Sequence, residues 1–295
     1  MNLLITGATG FTGTHVARQL AGSGHSLRCL VRTTSKSARL PPSCEVIEGS
    51  LEDVVSLDRA MYGIDVLVNV ASLGMGHAPL ILERAEAAGI RRAIFVSTTS
   101  IFTQLNPSSK VVRLAAEKLI ESSPLDYVIF RPTMIYGTSE DRNICRLIRY
   151  LSRYPVLPIV GPGTHLQQPV HVDDLADVIC NAALGGAGSR AAYNVSGAFP
   201  LTFNEVVDTI SILLGKVIRK AHLPVKPVVS LLGLTERIGL RLPIKAEQVL
   251  RLNEDKAFEH TDAARVFNFR PRSFQAGAAE EVQSMGFGAP VTSNN

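Results

Sequence analysis

Three glycines, Gly7, Gly10 and Gly13, punctuate the run Thr6-Gly7-Ala8-Thr9-Gly10-Phe11-Thr12-Gly13 at three-residue intervals. An apolar strand-like segment, Leu3-Leu4-Ile5, leads in, and an amphipathic stretch from Thr14 to Leu20 leads out. The spacing suits a diphosphate. Gly7 permits a tight turn, Gly10 lets main-chain N–H groups approach the phosphates, and Gly13 lets a helix pack closely on the strand. The start of that helix adds partial positive charge where the diphosphate would lie. Gly7, Thr9, Gly10, Phe11 and Thr12 are therefore expected to hold the pyrophosphate of a dinucleotide.

The second strand, Ser26 to Val31, ends at Arg32. An acid at about this place would hold the ribose hydroxyls of NAD. A guanidinium grips a 2′-phosphate instead, through paired charge-assisted hydrogen bonds. With Thr33, Thr34, Ser35 and Lys36 following, the expected cofactor is NADP(H), with NAD(H) left open.

Other candidates sit where strands end on the same edge, because ligands collect at the carboxyl ends of parallel strands. Ala71-Ser72 ends a fourth strand, read as Ile64 to Val70, and is expected beside the cofactor. Ser97-Thr98-Thr99-Ser100 follows a fifth, Arg92 to Ser97. Between lie a short third strand at Glu45-Val46-Ile47-Glu48 and a helix over about Ala78 to Ala88, with Gly89 as its cap. A helix over about Lys110 to Ser122 precedes a sixth strand, Tyr127 to Arg131. Strands alternating with helices predict an α/β fold, a doubly wound parallel sheet with helices on both faces.

Beyond Gly137 the pattern is less regular. Helices are expected from about Ile144 to Arg153 and after Asp173-Asp174, whose carboxylates suit a helix start. A late strand is expected at Ala192 to Val195, and Thr202-Phe203-Asn204-Glu205 spells a capping box. Val228 to Leu234 reads as a buried helix, and the tail from Gly286 to Asn295 as loosely ordered.

Composition narrows the class. Hydrophobic residues make up 46% of the chain, enough for a large core, yet no apolar run is long enough to span a membrane. The charge of +4 is small and scattered, which argues against nucleic acid as a partner. Cys29, Cys44, Cys145 and Cys180 lie far apart without metal-ligand spacing, so thiols in a reducing cytoplasm are expected and no metal site. With the first strand read as beginning at residue 2, no signal peptide is expected.

Four stretches together resemble the extended and atypical short-chain dehydrogenase/reductases, the superfamily that includes nucleotide-sugar epimerases and dehydratases. They are Thr6 to Gly13, Phe95-Val96-Ser97-Thr98-Thr99, Arg131-Pro132-Thr133-Met134-Ile135-Tyr136-Gly137, and Pro169-Val170-His171-Val172-Asp173-Asp174. The resemblance implies a Rossmann-like domain over 1–138, completed by about 165–196. A partly helical substrate cap would be built from 139–164 and 197–295. Pro132 and Thr133 would touch the cofactor, and Tyr136, Gln168 and His171 the substrate. Ser97, Thr98, Thr99 and Arg113 become the catalytic candidates.

One departure stands out. Active relatives carry a Tyr and a Lys four residues apart on the helix after the fifth strand. Here those places fall on Ser109 and Arg113. A phenol, with a pKa near 10, is tunable toward neutrality, whereas a serine hydroxyl is not, and a guanidinium keeps its proton. Arg113 is expected to hold the nicotinamide ribose, and a water or substrate hydroxyl to supply the proton. Sugar-nucleotide relatives also place an arginine where Gln167-Gln168 stand here. The expected activity is NAD(P)(H)-dependent oxidoreduction of a small carbonyl, alcohol or sugar-like molecule. A non-redox NADP(H)-binding regulator or assembly factor, and a nucleotide-sugar epimerase or dehydratase, stay open beside it, as does homodimerisation.

Overall fold

A computed structural model describes residues 1–32, 34–105, 107–237 and 246–287, without the side chains of 34–36, 236 and 237. The expectations placed on Thr33, on those side chains and on 288–295 lie outside it.

Seven parallel strands form the central sheet, in the order β11-β6-β5-β4-β1-β2-β3. They are β1 (Asn2–Thr6), β2 (Ser26–Val31), β3 (Glu45–Glu48), β4 (Val66–Asn69), β5 (Arg92–Val96), β6 (Asp126–Pro132) and β11 (Ala191–Val195). β1 lies between β2 and β4, with Thr6 level with both Leu30 and Asn69. β4 and β5 are buried along their whole length, as expected of parallel strands covered on both faces.

Each face has its own core. One is filled by α1 (Phe11–Ala21), α6 (Val172–Gly185) and α10 (Thr261–Phe267), which bring Val16, Leu20, Ile179 and Phe267 against Ile5, Val68 and Phe130. The other is covered by α2 (Val54–Met61), α3 (Ala78–Ala87) and α4 (Ser108–Ser122) through Leu57, Met61, Ile81 and Ile120.

A third core lies beyond the sheet. It joins α5 (Ile144–Arg153), α7 (Phe203–Leu213) and α11 (Phe274–Ser284) with β7 (Ile135–Tyr136) and β8 (Val156–Val160). β9 (Leu166–Gln167) pairs with β12 (Leu201–Thr202), β10 (Val170–His171) with β7, and β13 (Arg219–Leu223) in parallel with β8; the sequence reading anticipated neither β8 nor β13. The expected helix around Val228 forms as α8 (Val225–Arg237), but it is only half sunk: Leu232 is 9% exposed, Leu231 61% and Leu234 56%.

The capping box is complete at α7. The Glu205 N–H donates to Thr202 Oγ1 at 3.2 Å, and the Thr202 N–H donates to Glu205 Oε2 at 2.7 Å. Thr202→Ala removes the acceptor for one helix-start amide, so it is expected to lower unfolding free energy by about 1 kcal/mol in urea titrations. A change below about 0.3 kcal/mol would show that water caps this helix equally well.

Candidate dinucleotide site

The expected loop forms between β1 and α1. Gly7 has φ +73°, and a Cβ there would stand 2.6 Å from the Ala71 nitrogen. At Gly13 a Cβ would stand 2.1 Å from the Gly7 carbonyl oxygen, closer than any real contact. Only glycine lets the turn, the helix and the β4 end approach this closely. Gly10 caps α1 from an extended conformation, ψ 170°, and no side chain satisfies the first-turn amides. Those amides are left for an anion, and the helix dipole favours one.

A buried brace fixes the floor. The Thr6 hydroxyl donates to Asn69 Oδ1 at 2.6 Å, and Asn69 Nδ2 donates to the Ala71 carbonyl at 3.1 Å. β1 and β4 thus end in register, with half-buried Ala71 beside Gly7. Thr9 is half-buried, Gly10 exposed and Thr12 buried. Arg32 is exposed just past β2, and no carboxylate holds it among the described residues.

The three hydroxyls after β5 are not equivalent. Ser97 is 8% exposed and donates to Glu117, which is itself 3% exposed. Arg131 closes on the same carboxylate, with Nε at 3.0 Å and Nη2 at 2.5 Å from Oε2. The only proton of the Ser97 hydroxyl is committed to this interior network, so Ser97 is a structural anchor in this structure rather than a donor to substrate. Thr99 is likewise buried and donates to the Pro132 carbonyl at 3.3 Å. Thr98 remains: half-buried, it accepts from the Ser100 N–H at 3.2 Å and donates to no acceptor among the described residues.

Arg113 lies half-buried on α4, its guanidinium spread over Gly74 in the turn Leu73–Met75 after β4. Burial, then the charge of Arg251, lowers its pKa. Ser109 lies in the first turn of the same helix, and the Arg113 guanidinium reaches its carbonyl only at 3.4 Å.

Pro132 and Thr133 turn inward. The Thr133 N–H bonds the Val195 carbonyl at 3.0 Å and its hydroxyl the Gln168 carbonyl at 2.5 Å. The three expected substrate residues are also interior: Tyr136, Gln168 and His171 are 0, 5 and 3% exposed. Gln168 spends its amide on the Gly197 carbonyl and the Phe258 N–H, both at 2.8 Å. Tyr136 packs between His171 and Phe274, with ring centroids 5.3 and 5.2 Å away, and burial pushes its pKa up. His171 caps α6, its Nδ1 accepting from the Asp173 N–H at 3.2 Å, and burial lowers its pKa.

Asp173 and Asp174 begin α6 as expected and also tie elements together. Asp173 meets His15 of α1 at 2.6 Å; Asp174 takes both the main chain and the guanidinium of Arg272 at 2.9 Å. His15 carried no signal in the sequence, because its partner is distant in the chain.

A parallel sheet, a glycine cradle at its switch point and an unsatisfied helix start define a dinucleotide-binding α/β protein. A sequence profile for NAD(P)H-binding proteins matches residues 7–183, and the chain belongs to that family. It is 26% identical to the uncharacterised protein y4nG of Sinorhizobium fredii, over 91% of this chain and 74% of that one. It is 31% identical to a ceramide reductase of Caulobacter vibrioides, over 58% of this chain and 57% of the reductase. The fold is shared with a UDP-glucose 4-epimerase of Thermotoga maritima, at TM-score 0.77, 18% identity, and 97% and 99% coverage of the two chains. Among the described residues, no helix is long and apolar enough to cross a membrane.

Proposed function

We propose that the chain is an NADP(H)-dependent oxidoreductase that acts on a small carbonyl, alcohol or sugar-like substrate. The observation that carries this is the cradle of Gly7, Gly10 and Gly13 facing a helix start without a side-chain cap, with exposed Arg32 beyond β2 held by no carboxylate among the described residues. The dinucleotide supplies or accepts the hydride. The first-turn amides of α1 hold its diphosphate, Arg32 holds the ribose 2′-phosphate, and Arg113 reaches the nicotinamide ribose. Thr98 donates a hydrogen bond to the substrate oxygen and orients it, keeping its own proton. With Ser109 in place of the phenol, the proton transferred comes from a water or a substrate hydroxyl. The substrate lies between the carboxyl edge of the sheet and a cap formed by 139–164 and 197 onward. Similarity to a ceramide reductase is in keeping with carbonyl chemistry.

Turnover with NADPH and a panel of ketones, aldehydes and nucleotide sugars tests this reading. Tight NADPH binding without oxidation by any of them would sink it. Arg32→Ala is expected to weaken NADPH binding at least tenfold while leaving NADH unchanged, because hydrogen bonds to a charged group contribute about 1.5–3 kcal/mol. Equal losses for both cofactors would remove the 2′-phosphate assignment.

A second reading is a dinucleotide-binding protein without turnover, and Ser109 with Arg113 at the proton-transfer positions favours it. Cellular function surviving Ser109→Ala and Arg113→Ala, but not Gly10→Asp, would select it.

A further inference from the structure

Three side chains able to ligate a metal converge in the third core. Asp141 stands just before α5, Cys145 lies in its first turn, and Glu281 comes from α11. One oxygen of each carboxylate and the Cys145 Sγ all lie within 4.8 Å of one another. None of them meets solvent: Asp141 is 5% exposed, Cys145 and Glu281 0%. The sequence showed no metal spacing, because Asp141 and Cys145 sit one helical turn apart and Glu281 far along the chain.

The three are not equally satisfied. Asp141 is held in place, accepting from the Asn143 N–H at 2.7 Å and from the Cys145 N–H at 3.2 Å. The Cys145 thiol donates to the Asp141 carbonyl at 2.8 Å, and its sulfur accepts from Arg149 Nη1 at 3.5 Å. Glu281 is different: as a carboxylate, neither of its oxygens has a hydrogen-bond donor among the described residues. A carboxylate buried in that way is costly unless something positive meets it. A proton is one remedy. Burial, and the bond a protonated Glu281 makes to Asp141, push its pKa up to about 10. Yet a proton answers only one of the two oxygens and gives Cys145 no part.

A cation answers all three groups. With the thiol ionised, the ligands carry three negative charges and Arg149 returns one, so a divalent ion cancels the remaining two. A thiolate beside two carboxylates disfavours magnesium and calcium, which take oxygen alone, and suits zinc. Zinc bonds of about 2.0–2.3 Å hold neighbouring ligand atoms about 3.5 Å apart, a spacing that small side-chain rotations reach from the one observed.

We propose that Asp141, Cys145 and Glu281 bind one zinc ion, which clamps α11 to the start of α5. Water completes the four ligands. Binding sends the thiol proton, and the proton on Glu281, to solvent. The hydrogen bonds that Asp141 accepts hold that ligand in position, as outer partners of a metal site do.

The full chain, stripped with a chelator, is titrated with zinc calorimetrically and with cobalt(II) by absorption. One ion per chain is expected, with proton release, a thiolate-to-cobalt charge-transfer band and a raised melting temperature. Cys145→Ser is expected to lose the band and to bind zinc about a hundredfold more weakly, since even outer partners of a metal ligand are worth about tenfold. Glu281→Gln keeps the size of the side chain and removes the buried acid. It is expected to bind zinc about tenfold more weakly or worse, while melting no lower than the stripped parent, so it decides the matter should the serine variant not fold. No zinc bound at micromolar concentration gives the carboxyl pair a shared proton instead and overturns the site. A cobalt band that survives Cys145→Ser places the ion on another thiol, and zinc affinity unchanged in Glu281→Gln removes that ligand; either result overturns the site as well.

Discussion

Gly10→Asp is expected to abolish NADPH binding while leaving the fold at least as stable. The two effects have opposite signs for one physical reason. Gly10 caps α1 in an extended conformation that any residue adopts, and no side chain now serves the first-turn amides. An aspartate there accepts from those amides and complements the helix dipole, which stabilises a helix start. The added Cβ would meet the Gly7 carbonyl oxygen at 3.2 Å, a contact the loop accommodates with a small shift. The same carboxylate occupies the place of the diphosphate and repels what remains. Two like charges about 4 Å apart near a protein surface cost about 4 kcal/mol, or roughly a thousandfold in affinity. Calorimetric titration and thermal melting on the same sample check both halves. An NADPH affinity within threefold of the parent would dislodge the diphosphate from this loop.

The second large effect lies beneath the catalytic candidates. Glu117→Ala leaves the Arg131 guanidinium without its carboxylate, in a site where the Arg131 side chain is only 19% exposed. The Phe102 ring, 5.6 Å from its Cζ, offers no counter-charge. Ser97 loses its acceptor at the same time. Breaking a buried pair from one side typically costs about 3–5 kcal/mol, so unfolding in urea is expected to show a loss of about 3 kcal/mol or more. The double variant Glu117→Ala with Arg131→Leu is expected to recover at least half of it, since no charge is then stranded. A single-variant loss below about 1 kcal/mol would mean that water reaches Arg131 and satisfies it.

What the sequence made legible follows from the range of each interaction. The cradle is local: strand, three glycines and helix start fall within one short run, so its geometry could be read before any fold was known. The sheet strands announce themselves as apolar runs bounded by turns. β8 and β13 do not. β8 contains Pro158, β13 reads Arg-Lys-Ala-His-Leu, and each becomes a strand only by pairing with the other. Tyr136, Gln168 and His171 show the limit of motif reasoning. Their motifs were visible, but α11 packs Phe274 over Tyr136, and the Phe258 main chain engages Gln168, so all three point into the interior. Ser97 misled for a related reason: Glu117, four residues after Arg113, takes its proton. Leu231 and Leu234 were expected inside and are exposed, since only one face of α8 is covered among the described residues.

The pairing of β6 with β11 sets an order on biosynthesis. Val128 waits for Ala191, and His15 on α1 for Asp173 on α6. Until the ribosome has released α6 and β11, the nascent polypeptide carries an open edge at β6 and an uncovered Val16 and Leu20 on α1. Contacts so distant in the chain form slowly, and exposed edges recruit neighbouring chains. A fragment truncated after Arg190 is accordingly expected to sediment as aggregate; a monomer melting in one sharp transition would show that the first six strands of the sheet stand by themselves.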